Sequence, residues 1–235
     1  MATRFYLSST AAADVNPAFS ATWTRNTEGD RFRMTQGKDA SAMTDKTAWA
    51  ATSPVANATA LFRQYVSVPM AAGIAFVTTD TVKAVIGALE SGVNDNINRN
   101  PIGIRVFSKD GVTLRATLLD VAHIGPGTTE WPTGTATNRQ FADGDVLTAG
   151  YTTVLGDRLV VEFGGQVSSA GGTTVTGTLR FGSAAASDLA EDETSTTDNN
   201  PWFEISRTIV FEAATADLLS THEQYRFENV RAVGY

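Results

Sequence analysis

Val112, Leu114, Ala116 and Leu118 are apolar, and Thr113, Arg115 and Thr117 between them are polar. A strand presents successive side chains to opposite faces, so this period-two spacing predicts a half-buried antiparallel strand. Upstream, Ile102, Ile104 and Val106 alternate in the same way. Asp110-Gly111 lies between the two runs and tolerates positive φ, which predicts a hairpin. The pattern recurs along the chain. Leu159, Val161 and Phe163 follow the turn at Gly156-Asp157, and Val175, Gly177, Leu179 and Phe181 follow Gly171-Gly172. These last two runs predict a second hairpin. Phe203, Ile205, Ile209 and Phe211 share one face of a further strand, entered through Pro201, because proline starts a strand but does not sit inside one. Val82, Val85, Ile86 and Leu89 also fit helical spacing after Asp80. Thr79, Thr81 and Gly87 favour a strand, which is the reading adopted.

Short strands separated by turn signals describe an all-β, antiparallel, jelly-roll-like sandwich. Its expected inner faces include Val112, Leu114, Leu118, Leu159, Val161, Phe163, Leu179 and Phe181. At 235 residues the chain fits one large β unit, placed at residues 1 to 216, with a C-terminal arm at 217 to 235. Residues 25 to 60 and 119 to 150 lack periodicity and read as long loops, of the kind that are functional or interface-forming.

Composition then removes whole classes of chemistry. The chain has no cysteine and two histidines, so thiolate nucleophiles, disulfides and Cys/His zinc sites are excluded. A net charge of −7 repels phosphate and argues against nucleic acid as a partner. No apolar run matches a signal peptide or a membrane span, so the expected product is soluble, starts in the cytoplasm and has no membrane partner.

A nucleophile elbow is missing, and His123 and His222 give a catalytic triad few ways to form. A β-sandwich glycosidase would need two acids about 5 to 10 Å apart. Glu162, Glu204 and Glu212 read instead as single acids at solvent-facing strand positions. No enzyme activity and no cofactor are expected. Residues 187 to 201 carry five acids, and Asp188, Asp192 and Asp198 are candidate calcium ligands. The order of ligands in an EF-hand is absent, and a solvated connection rich in Asx-turns is the simpler reading. Of the four tryptophans, Trp23 and Trp202 adjoin strands and read as packed. Trp131, in a Gly-rich loop, is the candidate glycan contact, and Trp49 is not distinguished. Phe5, Tyr6 and Leu7 at the N-terminus, with Tyr225, Phe227, Val230 and Tyr235 in the arm, are candidate interface anchors.

Several segments in order carry a resemblance. Ala2-Thr-Arg-Phe-Tyr-Leu-Ser-Ser9, Pro17-Ala-Phe19, Trp23-Thr-Arg25, Val106-Phe-Ser-Lys-Asp-Gly111, Gly156-Asp-Arg-Leu-Val-Val-Glu162, Gly177-Thr-Leu-Arg-Phe-Gly182 and Asn200-Pro-Trp202 together resemble a group of tailed-phage virion proteins. The resemblance runs over residues 1 to 211 and carries no catalytic residue. It implies a jelly-roll virion protein, either a head decoration (cement) protein or a module of a tail fibre or spike. The expected role is a homotrimer on the outer capsid surface, contacting the major capsid protein and bridging capsomers. The alternative is a receptor-binding tail module that holds a host surface glycan.

Overall fold

The alternating segments, each closed by Gly, Asn, Asp or Pro, become strands that find their partners far away in sequence. The computed structural model describes residues 1–27, 29–38, 42–52, 56–122, 129–168 and 174–212, with residues 48–52 as backbone only. His123, His222, Tyr225, Phe227, Val230, Tyr235 and the arm at 217–235 lie outside the described residues. In chain order the strands are β1 (Thr3–Ala12), β2 (Asp30–Thr35), β3 (Thr44–Thr52), β4 (Thr59–Val66), β5 (Ala75–Phe76), β6 (Thr81–Glu90), β7 (Ile97–Arg99), β8 (Ile102–Phe107), β9 (Leu114–Leu119), β10 (Thr137–Val146), β11 (Tyr151–Thr152), β12 (Arg158–Val167), β13 (Thr174–Phe181) and β14 (Trp202–Ile205). The fold is all-β, with about half of the described residues in strands and none of them helical. No helix among them is long and apolar enough to cross a membrane.

Twelve strands form one sheet in the order β3-β13-β6-β14-β1-β2-β4-β12-β8-β9, with β10 added to β6 and β7 to β12. The sheet rolls over on itself to make the sandwich. Tyr65 of β4 packs on Phe181 of β13, five positions away along the sheet, with ring centroids 5.6 Å apart. Phe141 of β10 meets Phe163 of β12 edge-on at 5.7 Å. One buried apolar cluster therefore fills the space between the two halves. The expected antiparallel pairing has one exception, since β2 runs parallel to β4, and β5 and β11 form a separate two-stranded antiparallel sheet.

The β8–β9 hairpin forms as expected, and residues 81–90 are strand. Other expectations are corrected. Val112 and Leu114 are 77% and 49% exposed, not inward-facing. The register slips twice between β8 and β9, at Val106/Phe107 and at Ile104/Arg105. Each bulge adds a residue and swaps the faces beyond it. The second hairpin does not form: β12 lies between β4 and β8, and β13 between β3 and β6. The two long loops contain β2, β3 and β10. β10 carries no clear alternation in the sequence because two bulges against β6 interrupt it.

Phe163→Ala should cost about 3–5 kcal/mol of folding free energy, whereas Val112→Ala should stay within about 0.5 kcal/mol. Equilibrium denaturation of both variants checks the inward and outward assignments.

Candidate functional site

All ten residues of β12 are buried. Leu159, Val161 and Phe163 face the central core, while Val160, Glu162 and Gly164 face away from it. That outer face is covered by the chain between β1 and β2. Ala13 and Val15 pack over Val66, Phe107 and Val160, and Phe19 and Trp23 pack over Leu61 and Val121. Glu162 lies between these two patches with no exposed surface, which corrects its expected solvent-facing position.

A buried carboxylate needs donors to replace its water. Glu162 receives the indole N–H of Trp23 at 2.9 Å, the amide of Gln64 at 2.8 Å, Arg105 Nη2 at 2.5 Å and the backbone N–H of Ser20 at 3.1 Å. Arg105 Nη2 also donates to Ala18 O at 2.9 Å. Arg31 Nε reaches Gln64 Oε1 at 3.0 Å and Pro17 O at 3.1 Å, and its guanidinium stacks on Phe19. Burial lowers the Arg105 pKa, and the attraction of Glu162 opposes the shift. Two glycines make room for this layer. A Cβ on Gly164 would lie 2.1 Å from Ala60 O and 2.3 Å from the Trp23 ring, and one on Gly103 would lie 2.8 Å from Val121. The covering segment is tied again where Arg158 forks onto Asp14, with both bonds at 2.8 Å. The donors saturate Glu162, and the site is a lock between segment and sheet. The signal for it was present in the sequence, since apolar Val160 shares a face with Glu162, so that face is not simply solvated.

The other sequence candidates separate. Trp131 is 1% exposed, which overturns its reading as a glycan platform. Its backbone N–H donates to Ile97 O at 2.8 Å, its indole to Asn100 Oδ1 at 2.7 Å, and its ring lies 5.7 Å from Phe62. Phe5 and Leu7 are core residues of the central strand β1 and are not free anchors. Phe5 stacks with Phe203 at 6.1 Å and meets Phe211 at 5.9 Å. Tyr6 points to the opposite face and packs with Val85, Leu189 and Trp202.

Asp188 accepts Arg4 at 2.9 Å and lies 2.6 Å from Lys38. Burial pushes the Asp188 carboxyl up, but the bonds from Lys38 and Arg4 win and hold it below the ordinary carboxylate value. Asp192 is also held low, by the Ser195 hydroxyl and by the backbone N–H groups of Ser195 and Thr194, an Asx-type turn. Asp198 pairs with Arg180 at 3.0 Å. Among the described residues no group of three or more His, Asp or Glu is placed to hold a metal. Glu204 pairs with Arg4 at 2.9 Å and Glu212 with Lys109 at 2.8 Å.

No known protein family matches the chain, and no curated protein matches it. A solved structure described as "Structure of infectious bursal disease virus Gt strain" is similar at 12% identity and a TM-score of 0.27, over 72% of this chain. The chain spans 38% of that one. A TM-score this low carries no argument, so the architecture rests on the strand pairing itself.

Glu162→Ala should destabilise the fold by about 3–5 kcal/mol, because Arg105 is left buried without its counter-charge. Glu204→Ala, at a half-exposed pair, should cost about 0–1 kcal/mol. Denaturation curves, with tryptophan emission reporting release of Trp23, measure the contrast.

Proposed function

We propose that this chain is a structural protein of a virion: a homotrimeric decoration (cement) protein that assembles in the host cytoplasm onto the outer surface of a tailed-phage capsid and bridges capsomers of the major capsid protein. One observation carries the reading. Among the described residues, side chains that could serve chemistry or ligand capture hold the body together: Glu162 and Arg105 lock a covering segment, Trp131 is packed inside, and Asp188 and Asp198 tie loops to strands. A sandwich cross-tied in this way is suited to bearing load through its surface. The resemblance to phage virion proteins points the same way. No enzymatic step, cofactor, nucleic acid or membrane enters this reading.

Exposed apolar surface suited to contact lies at two adjoining turns. Val112 and Leu114 project near the β8–β9 turn, and Val154 and Leu155 from the turn before β12. The turns are joined where Arg158 Nε donates to Lys109 O at 2.7 Å. A closed threefold oligomer matches the threefold junctions of an icosahedral shell, so each copy makes equivalent contacts. A specific interface of this kind buries at least about 1,000 Å².

Light scattering should give a trimer, and the protein should bind capsids of the virus that encodes it. Leu114→Asp combined with Leu155→Asp should weaken that binding about ten-fold or more while leaving thermal stability close to the parent. A monomer that ignores capsids overturns the proposal, and one that instead binds host polysaccharide establishes the tail-module alternative.

A further inference from the structure

Glu90 ends β6 with 2% of its surface exposed. Its backbone N–H donates to Pro132 O at 2.9 Å, and it bridges Thr133. Its side chain folds back so that Oε2 accepts the Ile97 N–H at 3.0 Å. Oε1 receives no donor among the described residues. The group facing Glu90 is another carboxyl, that of exposed Glu130, within hydrogen-bonding reach. Asp95, in the turn leading to β7, adds a second negative charge. Its own Oδ2 is occupied by Ser91 Oγ, the Gly92 N–H and the Thr176 N–H. From β10 comes a cation, Arg139, which feels the field of Glu90. Its Nη groups donate elsewhere, Nη2 to Glu130 O at 3.0 Å and Nη1 to Asn138 O and Glu193 O at 2.9 and 2.7 Å, and its buried Nε has no hydrogen-bond partner among the described residues. Its Nε lies 3.9 Å from Glu193 Oε2. From β13 the residue opposite Glu90 is uncharged Gly177.

Two carboxyl groups in contact, one of them dry and unpaired with a cation, are compatible only when a proton lies between them. We propose that Glu90 and Glu130 form a proton-dependent latch: the shared proton clamps residues 130–133, and with them the Trp131 side chain, onto the end of the sheet, and its loss releases them. In the closed form the Glu90 carboxyl keeps its proton and donates it to an oxygen of the Glu130 carboxyl group. On opening, that proton passes to solvent and two like charges face each other. Burial first, then the neighbouring Glu130 and Asp95, push the Glu90 pKa up to about 8 against the opposing Ile97 N–H. A pKa raised in the folded state means the latch contributes fully at pH values below the ordinary carboxylate range, and its contribution fades as pH rises through about 8.

Carboxyl carbon NMR of the unaltered protein should show one glutamate titrating near pH 8, and Glu130→Gln should move that titration toward the ordinary range. Hydrogen exchange across residues 129–134, corrected for intrinsic rate, should rise several-fold between pH 6 and pH 9, and Glu90→Gln should abolish the rise. Carboxyls that all titrate below about pH 6 overturn the latch. So does exchange in this segment that is equally pH-dependent in the unaltered protein and in a folded Glu90→Gln variant. Should Glu90→Gln fail to fold, the NMR titrations of the unaltered protein and of Glu130→Gln, at an exposed position, decide the matter alone.

Discussion

The buried carboxylate of Glu162 is the constraint around which the outer half of the fold is organised. A charge at this depth is tolerated only with a full set of donors, and the sheet provides just two of them, from Gln64 on β4 and Arg105 on β8. The chain between β1 and β2 brings the rest, the Trp23 indole and the Ser20 N–H. That segment stands in for the water the carboxylate lost, and in doing so it buries the second face of β4, β8 and β12. Its aromatic rings then need space, which Gly103 and Gly164 leave open. Segment, glycines and polar cluster are thus one arrangement.

How a carboxylate is partnered determines what it contributes here. Glu162 faces a guanidinium at contact distance and fixes two layers against each other. Asp188, Asp192 and Asp198 lie near the surface and hold a long connection in shape through cations and turn bonds. Glu90 differs from both groups, since its neighbours are acids and its one direct donor is a backbone N–H. Negative charge is structural in the first two cases and a source of conditional behaviour in the third.

Much of the core was legible from period two alone. Leu159, Val161, Phe163, Leu179, Phe181, Phe203 and Ile205 all face inward as their alternation requires, because each lies in a stretch whose local register is unbroken. Legibility failed where a bulge intervened, as at Leu114 and along β10, since one extra residue reverses every face beyond it. It failed again where burial came from a distant segment. Glu162 reads as solvated because the segment that covers it is remote in sequence, and apolar Val160 on the same face is the one hint of a cover in its own strand. Trp131 looked exposed because its flanks are loop-like, while its partners Phe62, Ile97 and Asn100 come from other parts of the chain. Phe5 and Leu7 resembled free anchors for the related reason that their partners, Phe203 and Met34, are remote in sequence.

β1 is held on one side by β14, with Thr3 opposite Ile205 and Tyr6 opposite Trp202. Almost the whole chain separates the partners of this ladder, so its loop-closure entropy is met late and folding is expected to be slow. During translation the consequence falls on the ribosome-bound chain. The β14 side of this apolar strand stays unpaired until residue 205 has left the exit tunnel, and that edge must be sheltered from other chains in the meantime.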